Sequence, residues 1–256
     1  MIDLKNRYIE LKKARKALVA LTAYDYPMAR LLDENGVDLI LVGDSLGMVV
    51  LGYPDTTEVS LEDMLHHTRA VARGVKTAIV VSDLPKGSYD NLDLALTNAQ
   101  ALIAAGAKAV KLEGGEERAQ TISALVEAGI PVFAHIGMLP QHIREEGGYK
   151  IKGRTPQQAD QLLKDALAVE AAGAFAVVLE LVTPPLALEL SQALMIPTIG
   201  IGSGADCDGQ IRVLHDVIGL YPWFRPKFVE PKANVASIIG DAVKAYAEDV
   251  RRSPLS

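Results

Sequence analysis

Short runs rich in Val, Ile and Leu alternate with longer stretches of helical periodicity along the chain, and this alternation restricts the fold more than any other feature. Eight such runs can be counted, near residues 18–23, 38–43, 77–82, 108–112, 131–135, 175–179, 197–200 and 216–220. A strand, a helix and a second parallel strand make a βα unit, whose strands are buried on both faces and therefore read as continuous apolar runs. Eight such units in 256 residues match the size of a (β/α)8 TIM barrel. An open doubly wound sheet is the competing arrangement, and the absence of GxGxxG after the first run counts against its dinucleotide-binding form. Helix ends are legible: Ser60 with Asp63 makes a capping-box entry to a helix leaving at Gly74, and Thr155-Pro156 opens another that ends near Gly173. Gly36, Gly106 and Gly129 likewise follow helical stretches. A helix near 3–14 and a final helix near 233–251 lie outside the eight units. No linker rich in Pro, Ser or Gly divides the chain, so residues 1–256 are expected to form a single barrel domain.

The length and the 49% hydrophobic content supply one sizeable core. A net charge of -6 argues against a nucleic-acid-binding or anionic-membrane surface. The densest basic stretch, KKARK at 12–16, reads as a solvated helix face. Cys207, the single cysteine, can form neither an internal disulfide nor a thiolate metal site, which points to an intracellular protein. The start, MIDLKNRYIELKKARKALVAL, is charged where a secretory signal needs an apolar stretch, and no run approaches the roughly 18–20 apolar residues of a membrane span. The expectation is a soluble cytoplasmic protein acting on small molecules, with neither nucleic acid nor membrane as partner.

Chemistry concentrates where the apolar runs end. Asp44 follows DLILVG, Asp83 ends TAIVVS, Lys111 and Glu113 end AVKLE, His135 ends IPVFAH, and Glu180 ends FAVVLE. An Asp at the end of a buried strand is costly to desolvate unless something pairs with it. A single strand-end Asp is ordinarily a helix cap or turn former, and Asp83 before Leu84-Pro85 fits that role. Chemical groups on five successive strand ends are harder to explain as independent caps, because on a closed barrel those ends converge at the face where barrels carry their chemistry. Two Asp and a Glu form an all-oxygen set suited to Mg2+, which takes one or two direct carboxylates and keeps several waters. Zinc is less suited, since His66 and His67 are adjacent on a helix and splay apart. The long irregular segments 44–59, 136–154 and 221–231 each follow a run and are expected on the same rim as binding loops.

The segments TAYDYPMARLLDENGVDLILVGDSLGMVVLGY, LEDMLHHTRAVARG, AGAKAVKLEGG, GIPVFAHIGMLPQ, GGYKIKGRT and IPTIGIGSGADCDGQIRVLHD together resemble the ketopantoate hydroxymethyltransferase family over about residues 3–230. The resemblance implies a Mg2+-dependent (β/α)8 barrel that moves a hydroxymethyl group from 5,10-methylenetetrahydrofolate to 3-methyl-2-oxobutanoate through an enolate, giving 2-dehydropantoate and tetrahydrofolate. It implies Asp44 and Asp83 as metal ligands that also face the substrate, with Glu113 holding the metal through water. Ser45 and Lys111 would bind the substrate carboxylate and ketone, His135 would lie beside them, and Glu180 would be the general base. It further implies a large homo-oligomer, commonly a decamer of two stacked pentamers.

Lys86, Ala134, Leu139, Leu181 and Thr183 depart from the pattern of that family, and none removes an implied ligand or base. The glycine-rich GIGSG at 200–204 would serve a phosphosugar barrel as an anion loop; beside the resemblance it reads as backbone packed near the site. The architecture also resembles Mg2+-dependent α-keto acid lyases and mutases of the phosphoenolpyruvate mutase and isocitrate lyase type. Those commonly use a reactive cysteine in a KKCGH-like loop, whereas Cys207 lies in GADCDGQ. A non-enzymatic assembly scaffold is the reading from a different class.

Overall fold

Apolar runs one to seven are strands within two or three residues of their expected limits. They are β1 Leu18–Thr22, β2 Leu39–Val42, β3 Ile79–Asp83, β4 Ala109–Glu113, β5 Val132–Gly137, β6 Ala176–Glu180 and β7 Thr198–Ile201. In this computed structural model, which describes residues 3–252, they pair in parallel in sequence order and close with β8, Gly209–Arg212, into an eight-stranded barrel.

The eighth strand is not the expected 216–220 run. That run falls in a helix, Leu214–Ile218, which stops on Gly219 at a left-handed φ of +64°. Its apolar residues follow a helical period that five residues are too few to reveal. The true strand, GQIR, is short and half polar. Gly209 is what lets it close the barrel, since a Cβ there would lie 2.5 Å from the Leu18 carbonyl oxygen. The closing bond runs from Leu18 N–H to the Asp208 carbonyl at 3.0 Å. As a consequence, segment 221–231 follows a helix and not a strand, contrary to the expectation from sequence.

Eleven α-helices are found among the described residues: α1 Leu4–Lys13, α2 Tyr26–Glu34, α3 Leu46–Val49, α4 Leu61–Gly74, α5 Leu92–Ala104, α6 Ala119–Glu127, α7 Ile143–Glu146, α8 Pro156–Ala171, α9 Pro184–Ala193, α10 Leu214–Ile218 and α11 Val235–Arg252. The expected capping box is present, with Ser60 Oγ accepting from Asp63 N–H and Asp63 accepting from Ser60 N–H. Thr155 caps α8 by accepting from Gln158 N–H. By compactness the chain divides into two units, Met1–Ile211 and Arg212–Ser256.

In the first unit, α1 seals one end of the barrel. Leu4 and Tyr8 are buried in the interior cluster with Leu39, Ile79, Ala109, Phe133, Phe175 and Val178, and the Tyr8 ring meets Phe175 edge-on at 5.0 Å. Lys12, expected on a solvated face, is instead docked. Its Nζ donates to the carbonyls of Ser191 and Ile196 and lies 3.0 Å from Asp208 Oδ2, because the long aliphatic stem can carry the charge to acceptors at the edge of the core. In the second unit, α11 buries none of its residues and leaves Ile238, Val243, Tyr246 and Val250 exposed.

Candidate active site

Alternation along the strands creates the site. Side chains two apart share a face, and the inward series reads Ile79, Val81, Asp83 on β3, then Ala109, Lys111, Glu113 on β4, Phe133, His135 on β5, and Val178, Glu180 on β6. Near α1 the interior positions are apolar; at the opposite, carboxyl-terminal end they become ionisable. Parallel pairing sets Asp83 beside Lys111, Glu113 beside His135, and Gly137 beside Glu180. Asp44 and Ser45 follow β2 after Gly43, where a Cβ would come within 3.0 Å of Ser45 Oγ and 3.4 Å of Asp83 Oδ2. All seven sequence-expected site residues therefore lie at this one end.

The contacts are short and buried. Asp83 is 1% exposed; its Oδ1 lies 2.5 Å from Lys111 Nζ, and its Oδ2 accepts from Asp44 N–H at 3.0 Å. This binds Asp83 into the site and removes its alternative role as a turn former. His135 stands between two carboxylates, with Nδ1 3.6 Å from Glu113 Oε1 and Nε2 3.2 Å from Glu180 Oε2. Neither ring nitrogen has the alignment of a hydrogen bond, and Glu113 Oε1 is likewise unpartnered. Ser45 Oγ and Tyr24 Oη are 2.8 Å apart.

Four carboxyl groups thus surround one ammonium. Burial, then the adjoining Asp83, pushes the Asp44 carboxyl up to about 7, and burial pushes Glu180 up to about 8. Burial also raises Glu113 well above the ordinary carboxyl range. Burial works against the Lys111 ammonium, yet Asp83, Glu113 and Asp44 overcome it and hold Lys111 charged. Burial and Lys111 together keep the His135 imidazole neutral.

This excess of buried carboxyl groups over ammonium groups, the orphaned Glu113 oxygen and the all-oxygen donor set fit a hard divalent cation, whose charge would favour their ionised forms. Among the described residues no three His, Cys, Asp or Glu side chains converge on a common ligand point. The geometry instead ties Asp83 to the Asp44 N–H and to Lys111, and a cation that keeps waters and takes one or two carboxylates directly needs no tighter convergence.

Gln141 was not singled out from sequence. It is 1% exposed, its Nε2 donates to Asp44 Oδ2 at 2.8 Å, and its backbone N–H donates to Glu113 Oε2 at 3.0 Å. The amide in LPQH carries neither charge nor periodicity; only its place just beyond β5 could have drawn notice. His67 was expected on a solvated helix, but its Nδ1 lies 2.6 Å from the Tyr24 carbonyl, because α4 packs its inner side against the segment after β1.

The glycine-rich loop is occupied structurally. Ser203 Oγ donates to the Leu179 carbonyl and accepts from Val182 N–H, holding the segment that follows Glu180. In that segment Leu181 has a left-handed φ of +48°, a conformation costing a non-glycine residue about 1 kcal/mol or more. Cys207 is half-buried, and burial pushes its thiol up, away from the thiolate a reactive cysteine requires.

Two loops form a roof. Arg144 of α7 grips Asp55 through Nε at 2.7 Å and reaches Glu58 through Nη2 at 2.8 Å, tying the loop after β5 to the loop after β2. Lys86, a departure from the family pattern, pairs with Glu145 at 2.5 Å and adds the loop after β3. Segments 44–59 and 136–154 thus follow strands at the expected end of the barrel, and each contains short helical turns.

A family model described as ketopantoate hydroxymethyltransferase matches residues 5–254. The chain is 52% identical over 246 residues to the 3-methyl-2-oxobutanoate hydroxymethyltransferase of Acetivibrio thermocellus, covering 95% of this chain and 87% of that protein. It is 53% identical over 235 residues to the protein of that name from Thermus thermophilus, covering 91% and 90%. Among solved structures, phosphonopyruvate hydrolase in complex with oxalate and Mg2+ superposes with a TM-score of 0.63 at 17% identity, covering 96% of this chain and 87% of that one. 2,3-Dimethylmalate lyase, a PEP mutase/isocitrate lyase superfamily member, gives 0.62 at 15% identity, covering 100% and 90%. At these identities the structural likeness speaks for the barrel fold alone.

Proposed function

The chain belongs to the ketopantoate hydroxymethyltransferase family, and on that premise we propose that it transfers a hydroxymethyl group from 5,10-methylenetetrahydrofolate to 3-methyl-2-oxobutanoate, giving 2-dehydropantoate and tetrahydrofolate for pantothenate biosynthesis. The observation that carries this reading is the buried carboxylate cluster around Lys111, with Glu180 set apart from Asp44 and Asp83 on a different strand.

In this reading Asp44 and Asp83 would hold a Mg2+, with Glu113 supporting it. Such an ion, when bound, draws charge from the carbonyl of an α-keto acid and so eases loss of the C3 proton. The chain's own residues do the rest. The Lys111 ammonium pairs with the substrate carboxylate, and Ser45 Oγ, braced by Tyr24 Oη, donates to it. Glu180 takes the proton from C3, and its burial makes it a stronger base than an exposed carboxylate. The neutral His135 imidazole beside Glu180 faces that carboxyl without adding charge. Lys111 stays protonated among carboxylates, which favours an electrostatic role over a Schiff base. The C3 carbanion then bonds to the methylene carbon carried by the folate; the two carbon–nitrogen bonds of that carbon break, a water supplies the hydroxyl oxygen, and the folate nitrogens take up the proton lost from C3 and one from the water.

A lyase or mutase chemistry is disfavoured by the half-buried Cys207, the sole cysteine of the chain. No helix among the described residues is long and apolar enough to cross a membrane; the proposed cytoplasmic location rests on the biosynthetic role. The exposed apolar face of α11 supports a homo-oligomer, with a decamer expected from the family. Incubation with 3-methyl-2-oxobutanoate, methylenetetrahydrofolate and Mg2+ tests the whole reaction. 2-Dehydropantoate is expected; its absence from a correctly folded, metal-saturated protein would refute the assignment.

A further inference from the structure

Gln141 lies in the turn Pro140–His142 just beyond β5, and every polar atom of its side chain is committed. Its Nε2 donates to the Leu84 carbonyl at 3.0 Å and to Asp44 Oδ2 at 2.8 Å, while its Oε1 accepts from Tyr89 Oη at 2.5 Å. A backbone carbonyl can only accept, so the Leu84 contact fixes which end of the amide is nitrogen. The second amide hydrogen is thereby aimed at Asp44. Tyr89 is itself braced: the Arg118 guanidinium sits 4.8 Å from its ring centroid and Nη1 donates to its carbonyl.

The main chain of the same residue grips a second carboxylate, since Gln141 N–H donates to Glu113 Oε2 at 3.0 Å. One residue therefore spans two acidic groups supplied by the segment just after β2 and by the end of β4. A glutamine merely satisfied in a core would not need both. We propose that Gln141 is a positioning residue that sets the separation and orientation of the Asp44 and Glu113 carboxylates before a divalent cation binds. The inference rests on the divalent-cation reading given above. The side-chain amide supplies the Asp44 arm and the peptide N–H the Glu113 arm, so a side-chain substitution cuts one arm and leaves the other.

Mn2+ binding followed by electron paramagnetic resonance on the full chain, without substrate, tests this, with thermal unfolding in a chelator as the control for folding. Gln141→Met keeps the length of the side chain and removes the amide. It should weaken Mn2+ binding by the folded protein by about 10- to 100-fold, the range for residues that orient metal ligands, and also lower the metal-free Tm, because the Leu84 carbonyl and Tyr89 Oη lose a buried partner. Tyr89→Phe should weaken it by about fivefold, the equivalent of one hydrogen bond, because Leu84 still orients the amide. A purely structural Gln141 would lower the Tm and leave the Kd of the folded protein unchanged. Wild-type Mn2+ affinity in Gln141→Met overturns the inference. If that variant does not fold, an unshifted Kd in Tyr89→Phe overturns it. If the unmodified protein binds no Mn2+, the cation reading itself falls and this inference falls with it.

Discussion

His135 Nε2 on β5 stands 3.2 Å from Glu180 Oε2 on the adjoining β6, an imidazole and a carboxyl that burial drives toward their neutral forms. Their nearness is no surface ion pair; it places a proton-accepting group where Lys111 and the carboxylate pair are within electrostatic reach.

From this follows a pH dependence with a definite sign. The folded-state pKa of Glu180, about 8, lies above the ordinary 4.5, so the folded protein holds the extra proton between those values. Stability is therefore lost as pH rises through that window, while the fraction of ionised base increases. For the metal-free protein, Glu180→Gln should raise the Tm relative to wild type by an amount that grows from pH 5 to pH 8. A difference that stays flat with pH would show that Glu180 titrates normally.

Asp44 and Asp83 should respond in opposite directions to loss of charge. Asp44 is pushed up to about 7 by burial and by Asp83, so Asp44→Asn relieves repulsion and should leave the metal-free protein equally or more stable at pH 8. Asp83→Asn removes the 2.5 Å partner of the buried Lys111 and should cost about 3 kcal/mol, the lower end for breaking a buried pair, because Glu113 and Asp44 remain close. Urea unfolding of both variants decides; equal losses would contradict the asymmetry. Both variants should lose divalent-cation binding.

The roof should behave differently again. Arg144 is about half exposed, with a side-chain accessibility of 52%, so its ion pairs contribute little to global stability. Arg144→Ala should leave the Tm within a degree or two while hydrogen exchange accelerates in 53–59 and 139–150 and not in the strands. Unchanged exchange in both loops would mean that packing, not Arg144, holds them.

Much of this architecture was legible in the sequence because parallel strands buried on both faces are continuous apolar runs. The ionisable residues at their ends were legible for the same reason, since Asp44, Asp83 and Glu180 interrupt Val and Leu where polarity is expensive. What failed did so where that contrast vanishes. GQIR is too short and too polar to announce β8, and the apolar DVIGL drew the assignment instead. Lys12 reads as solvated because sequence cannot show the carbonyls and Asp208 that receive it. Gln141 is uncharged and lies in a loop, so its hold on Asp44 and Glu113 exists only in three dimensions.

The central claim is that Asp44 and Asp83 hold the metal while Glu180, separately, takes the C3 proton. The most direct test is exchange of that proton when the protein is incubated with 3-methyl-2-oxobutanoate in deuterated water, followed by proton NMR with and without Mg2+ and with no folate present. Exchange should require Mg2+, vanish in Asp44→Ala/Asp83→Ala, and fall by about 100-fold or more in Glu180→Gln, within the range for loss of a general base, with Mg2+ affinity retained in that last variant. Exchange at the wild-type rate in Glu180→Gln, or none in the unmodified protein at saturating Mg2+, would contradict the account.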